Sequence, residues 1–254
     1  LFTLYKHDHQ KFVDYNIKDV ELVDRLEDKM GLITLCMTLA YKAGVNYSDA
    51  FGTTGIWDTF LYRELYEKKT AVPPKEEKMK TDFPGGFVKS PMVGRHSWVV
   101  SFDFNSLYPH LIMQYNMSPE TIVDDATMGV NVETSLASRN PQSVRPDCTM
   151  AANGSHYRKD IRGVIPEVVD SLYAGRKQVK RQMLDATQEL EGVDKSKKTE
   201  VYQLEKKITS LDNEQMAIKI MMNSLYGAIG NRWFRYFDLR IAEGITLSGQ
   251  LSIR

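Results

Sequence analysis

The sequence predicts an α+β fold in which helices dominate. Three observations carry that expectation. Two long stretches in the last third repeat apolar residues in alternating steps of three and four. A compact apolar run at 98–104, "WVVSFDF", has the length of a strand. Residues 123–160 are polar, with Asn, Gly, Pro and Ser scattered through them, as expected of loops with short strands.

In chain order, residues 12–44 show apolar recurrence at helical spacing and end in Gly44, a helix stop. The segment 66–86 is charged, contains prolines and closes on two glycines, which reads as a linker and domain boundary. A strand is expected over 97–104, then a turn at "NSLYP" and a short helix that must end before Pro119. Positions 165, 169, 172, 176, 179, 183, 186 and 190 form one helical seam, and 201, 204, 208, 211, 215, 218, 222 and 225 form another. The polar stretch "EGVDKSKK" between them makes a turn, so the two helices pack antiparallel along their seams. By spacing alone this is equally a coiled-coil hairpin.

Bulk properties narrow the function classes. The 254 residues suffice for one large domain or two smaller ones, and 42% apolar with 26% charged content argues against disorder. No apolar run approaches the ~18 residues of a membrane span, and the N-terminus carries neither a starting Met nor a signal-peptide core. The C-terminal residues follow an apolar pattern without a helix stop, so the sequence reads as an internal piece of a longer protein. Cys36 and Cys148 stand 112 residues apart without a CxxC pair, which excludes a zinc ribbon and suits a reducing, cytoplasmic setting. Net charge is zero, yet residues 156–182 hold seven Lys or Arg against three Asp or Glu. Trp57 and Trp98 are expected in the core.

Two features point to chemistry. Arg176 occupies a seam position where an apolar residue belongs; an unpaired buried guanidinium is costly, so it should face an anion or carboxylate. Lys180 follows one turn later, and Lys219, Asn223 and Tyr226 stack on one side of the second helix. Three cations converging from two helices suit a triphosphate. Asp103 ends the apolar run just where a helix begins, and a carboxylate beside free helical N–H groups suits a divalent cation and a phosphate. A surface ion pair and a solvated charged face are the ordinary alternatives.

Longer matches narrow the choice. The stretch "SFDFNSLYP" resembles the D-x-x-S-L-Y-P signature of family B DNA polymerases, and "KIMMNSLYG", from Lys219 to Gly227, resembles the K-x-x-x-N-S-x-Y-G signature of the same family. They occur in the family's order with a helical hairpin between them. "FPGGFV" at 83–88 is similar to the YxGG element at the exonuclease–polymerase junction, and "YNIKD" at 15–19 to the third exonuclease motif, Y-x-x-x-D. "NMSPETIV" and "WFRYFDLRIAEGITLSGQ" resemble replicative polymerases of T-even-like bacteriophages.

The resemblance implies a division into the end of an RNase H-like 3′–5′ exonuclease domain (1–65), a junction (66–96), the first part of a palm with an antiparallel sheet (97–164), a two-helix fingers hairpin (165–228) and a return into the palm (229–254). It implies that Asp103 and the carbonyl of Phe104 hold Mg2+, two ions serving the polymerase site and two the exonuclease site. Ser106, Leu107 and Tyr108 would meet the triphosphate, Tyr108 also lying under the deoxyribose and excluding a 2′-OH. Arg176, Lys180 and Lys219 would bind phosphate oxygens with Asn223 supporting them, and Tyr226 and Gly227 would touch the nascent base pair. Asp19 would be a metal ligand of the proofreading site, with Tyr15 positioning the attacking water. Implied partners are primer–template DNA, dNTPs and a sliding clamp reached through a tail outside these residues, with no membrane and a host-cytoplasm location. The family's D-T-D motif and first two exonuclease motifs do not occur here; Asp58-Thr59 is followed by Phe60, and "DVE" at 19–21 lies on an expected helix. These 254 residues alone are therefore expected to be inactive. The competing class is a non-catalytic nucleic-acid-binding or coiled-coil interaction module.

Overall fold

Apolar recurrence over 12–44 resolves into separate helices because a left-handed glycine interrupts it. In the computed structural model, which describes residues 1–76, 78–79, 82–137 and 145–254, α1 spans Phe2–His7, α2 His9–Met30 and α3 Leu32–Ala43. Asp8 opens α2 by accepting a hydrogen bond from Lys11 N at 3.0 Å. Gly31 (φ +60°) closes α2, and Gly44 (φ +69°) closes α3, where the stop was expected. None of the residues of α2 is buried. A 3-10 turn at Tyr47–Phe51 then leads into α4, Thr53–Glu67.

Among the described residues, the chain beyond α4 has no regular structure until α5, Leu107–Tyr115. The linker expected at 66–86 is irregular among its described residues, but it is tied down rather than free. Arg235 Nη1 donates to Pro73 O at 2.6 Å, Lys78 Nζ to Phe237 O at 2.6 Å, and Val72 packs on the core. Residues 77, 80 and 81 of that segment, and 138–144 of the expected loops, lie outside the described residues.

The strand expected at 97–104 is absent. These residues join no ladder, Trp98 is 99% and Phe102 93% exposed, and Trp98 itself has φ +57°. A strand needs a neighbour for its backbone groups, and none of the described residues supplies one. The assignment of Trp98 to the core is corrected for the same reason, whereas Trp57 is fully buried as expected.

The sheet comes from the polar region instead. Strands β1 (Ile122–Val123), β2 (Cys148–Met150) and β3 (His156–Arg158) pair antiparallel in the order β1-β3-β2, with Tyr157 opposite both Ile122 and Thr149. A short helix, α6 (Val132–Ala137), was not anticipated. Its start is marked by a reciprocal cap: Thr134 N donates to Asn131 Oδ1 at 2.9 Å and Asn131 N to Thr134 Oγ1 at 3.0 Å.

Helices α7 (Val164–Gly192) and α8 (Lys198–Ile229) form the expected antiparallel hairpin, and every position of both predicted seams is buried or half-buried. Buried Asn116, at φ +60° beyond α5, anchors the hairpin's base. Its amide donates to Arg158 O (2.7 Å) and Ile161 O (2.8 Å), and its Oδ1 accepts from Gly163 N (2.9 Å). Glu120 Oε1 accepts from Val164 N at 2.5 Å, satisfying a free donor at the start of α7. The "NMSPET" stretch thus sets where α7 leaves the sheet. The chain ends in α9, Leu239–Ile253, capped by Asp238, which accepts from Arg240 N at 2.9 Å.

One core joins these elements: Ile56, Trp57 and Leu61 of α4, Ile112 of α5, Val169 of α7, Met221 and Leu225 of α8, and Ile241 and Ile245 of α9. Each such side chain contributes about 1.5–3 kcal/mol by leaving water. At its margin Arg235 pairs with Asp58 (Nε–Oδ1 2.7 Å), side chains 20% and 17% exposed, and Lys75 adds a third charge at 3.3 Å. Burial pulls the Asp58 carboxyl upward, but Arg235 and Lys75 outweigh it and hold Asp58 below the ordinary carboxylate range. A depressed folded-state value stabilises above the unfolded value, near pH 4, and that contribution is lost as pH falls through the folded one. Urea midpoints should therefore decline below about pH 4, and Asp58→Asn should flatten that decline while lowering stability at pH 7 by about 1–3 kcal/mol. An unaltered acid limb in the variant would clear this pair of the role.

Candidate nucleotide site

The turn that opens α5 is strained. Ser106 sits at φ +53°, a left-handed conformation costly for a residue with a Cβ. His110 stabilises it: Nδ1 lies 2.9 Å and the backbone N 3.1 Å from Ser106 O. The His110 ring meets Tyr173 of α7 edge-on at 4.7 Å. As the first residues of α5, Leu107 and Tyr108 carry N–H groups that no intrahelical bond uses. Pro109 follows without an N–H to offer.

These groups border a cavity of about 490 Å3 lined by Asp103, Phe104, Asn105, Ser106, Leu107, Tyr108, Pro109, Arg176, Lys219, Asn223 and Tyr226. Segments more than 100 residues apart in sequence therefore meet at one opening. The base of the hairpin supplies the basic wall and the start of α5 the donor wall. Asp103 is exposed at the rim, and the Tyr108 and Tyr226 rings meet at 4.8 Å with a 54° tilt. Burial pushes the Tyr226 phenol up, and neighbouring Tyr108 adds to the shift.

Arg176 behaves as its seam position predicts. Half-buried, it donates from Nη2 to Gln215 Oε1 at 3.2 Å, while its buried Nε has no hydrogen-bond partner among the described residues. Gln215 is in turn fixed by Asp212 Oδ1, 2.8 Å from its Nε2. A guanidinium has five donors, so Arg176 retains capacity for an anion on the cavity side. Gln215 escaped notice in the sequence, although a polar residue in the facing seam was its signal. His110 had no comparable signal, since its role depends on the backbone it grips.

Not every expected residue converges. Lys180 is exposed one turn farther along α7 and does not line the cavity; neither does Gly227, where an added Cβ would meet nothing within 4 Å in this unliganded chain. Tyr15 and Asp19 are exposed one turn apart on α2 and belong to a different surface. A wider groove of about 620 Å3 lies between α3 and α8, bordered by Tyr41, Tyr202 and the Lys42–Glu214 ion pair (2.7 Å), but no residue of the motifs lines it. Among the described residues, no three His, Cys, Asp or Glu side chains cluster as a metal site. Asp103 is thus a single hard-oxygen donor, which fits Mg2+, an ion commonly held by one or two carboxylates with substrate phosphates and water.

A sequence profile for DNA polymerase family B matches residues 53–254. The chain belongs to the family B DNA polymerases. It is 30% identical to the DNA-directed DNA polymerase of Escherichia phage RB69 and 31% identical to that of Enterobacteria phage T4, each alignment covering 99% of this chain and 32% of the relative. DNA polymerase 1 of Pyrococcus abyssi is 30% identical over 78% of the chain and 22% of its own length. The chain thus spans about a third of the length of its phage relatives. A family B DNA polymerase structure from Pyrobaculum calidifontis shares its fold, with a TM-score of 0.67 and 24% identity over 97% of this chain and 29% of that one. Among the described residues of this family B chain, no helix is long and apolar enough to cross a membrane.

Proposed function

We propose that these 254 residues form the nucleotide-binding part of a replicative DNA-directed DNA polymerase that extends a primer 3′-OH with dNTPs. The supporting observation is the shared cavity, in which a carboxylate, free helical amides and two cationic side chains face one another. On this reading residues 1–65 close a 3′–5′ exonuclease domain, 66–96 form the junction, 97–164 begin the palm, 165–228 are the fingers and 229–254 return to the palm. The primer 3′-oxygen bonds to the α-phosphorus as the bond from that phosphorus to pyrophosphate breaks, and the hydroxyl proton is released. Ser106, Leu107 and Tyr108 present donors to the triphosphate, and Arg176, Lys219 and Asn223 neutralise and orient its oxygens, with Lys180 able to join them if the hairpin closes. Tyr108 lies beneath the sugar, and Tyr226 with Gly227 meets the nascent pair.

Asp103 and the Phe104 carbonyl would hold Mg2+ at this site. When bound, such ions supply Lewis acidity to the attacking and leaving oxygens. The two-ion arrangement needs a further carboxylate from outside these residues, so the 254-residue piece should not extend a primer alone. Tyr15 and Asp19 would contribute to proofreading with Mg2+ in the same way. Primer–template DNA is the partner, with a sliding clamp engaged elsewhere in the longer protein, in the host cytoplasm.

In a full-length polymerase carrying these residues, Arg176→Ala or Lys219→Ala should weaken nucleotide use by the equivalent of about 2–4 kcal/mol in kcat/KM for dNTPs, the scale of one lost preorganised donor. Steady-state kinetics at fixed salt measures this. A defect confined to salt-dependent DNA affinity would instead indicate contacts to the DNA backbone.

A further inference from the structure

Tyr108, which lines the cavity, is also approached by two glycines from other segments that do not line it. A Cβ on Gly249 of α9 would lie 2.9 Å from Tyr108 Cε1, with Tyr108 Cδ1 at 3.6 Å and Leu111 Cδ1 at 3.7 Å. A Cβ on Gly86 would lie 3.2 Å from the Tyr108 hydroxyl. Real Cβ atoms do not approach a ring carbon at 2.9 Å, so a side chain at Gly249 requires the ring or α9 to shift. The Gly86 segment is also fastened to α9. Thr246 Oγ1 donates to Pro84 O at 2.9 Å and Gln250 Nε2 to Gly85 O at 2.6 Å. Thr246, Gly249 and Gln250 share one face of α9 at helical spacing, so the helix grips the glycine segment and seats the tyrosine together. Tyr226 stands against the ring at 4.8 Å, and Tyr108 also lines the cavity.

We propose that Gly249 of α9, together with the glycine segment at 84–86 that α9 holds, is a positioning element that fixes the Tyr108 ring and thereby sets how the polymerase discriminates between sugars. This rests on the reading above that Tyr108 lies beneath the nucleotide sugar. Pushed off α9, with Gly86 and Tyr226 also against it, the ring has the cavity it lines as open space to move into. The "FPGG" element then has a function inside the polymerase site as well as at the junction, because it backs the hydroxyl of the discriminating tyrosine.

The test uses a full-length polymerase carrying these residues, assayed with dNTPs and with rNTPs. Gly249→Ala should raise the KM for dNTPs on the order of tenfold, the scale of one methyl forced into a packed site, with a smaller change in kcat. It should also shift the dNTP-to-rNTP ratio of kcat/KM at least about threefold. In a Tyr108→Val background, which lacks the obstructing ring, the Gly249→Ala penalty should disappear. Equal penalties in both backgrounds, or a folded Gly249→Ala enzyme with unchanged KM and ratio, would overturn the proposal. Gln250→Leu, assayed in parallel, breaks the grip on Gly85 without adding volume beside the ring. It should change the ratio about twofold or more, and an unchanged ratio overturns the proposal even if Gly249→Ala does not fold. Tyr108→Val alone separates the two levels: if it still rejects ribonucleotides, the sugar-contact reading fails, whereas relaxed rejection without coupling to Gly249 defeats only the positioning role.

Discussion

Asp103→Asn, introduced into a full-length polymerase carrying these residues, should reduce nucleotide incorporation by about a thousandfold or more, equivalent to at least about 4 kcal/mol of transition-state stabilisation. Affinity for primer–template should stay within about twofold, because an Asn keeps the size of the side chain and Asp103 adds no positive charge for phosphates to lose. Asp103 stands at the rim of the cavity that Arg176 and Lys219 also line, and among the described residues it is the one carboxylate lining it. On the proposed reading, its removal leaves two cations and the free amides of α5 to hold the triphosphate, so nucleotide binding should outlast turnover. Single-turnover incorporation and filter binding on the same preparation distinguish the outcomes. Incorporation at wild-type rates would remove Asp103 from the chemistry and return the chain to the class of binding modules. Loss of both properties would point to a folding defect, which the exposure of Asp103 makes an unexpected result.

Legibility in the sequence followed how local the cause was. Spacing of three and four located α7 and α8 with the turn between them, because a helix exposes its core face in its own periodicity. Gly44 marked an end that depends only on backbone sterics, and Pro119 set a limit for α5, which stops earlier at left-handed Asn116. Asp103, Arg176 and Lys219 could be placed at one site because two motifs and a seam anomaly agreed. The segment at 98–104 failed for the opposite reason. Its composition signals burial, but burial requires a covering partner, and composition does not state whether the same stretch of chain provides it. Helix α6 was concealed by polar residues, although the spacing of Asn131 and Thr134 contained its capping signal. The seating of Tyr108 on Gly249 and Gly86 lay beyond sequence reasoning altogether, since three separate segments define it and helical periodicity within a segment does not say which others it meets.

Trp57→Ala should destabilise the protein by about 3–5 kcal/mol, the largest effect expected of any single truncation in this core. Trp57 of α4 is fully buried against α8, packs edge-on against Phe60 at 5.9 Å, and donates from Nε1 to both Met221 O and Ser224 Oγ at 3.1 Å. Truncation removes the apolar burial of an indole and opens a cavity that two rigid helices cannot collapse to fill. Trp57→Phe retains most of the volume and deletes the donor, so its cost should be nearer 1 kcal/mol. The difference between the two variants, read from urea midpoints, separates packing from hydrogen bonding. The site should register the change as well. Met221 and Ser224 lie between Lys219, Asn223 and Tyr226 on α8, so the tryptophan fixes the rotation of the helix that presents those side chains to the cavity. In a full-length polymerase carrying these residues, nucleotide KM should therefore rise in Trp57→Ala under conditions where the protein remains folded, and rise much less in Trp57→Phe. Destabilisation with an unchanged KM would mean that contacts between α7 and α8 alone fix the angle of α8 and that α4 contributes stability without guiding the site.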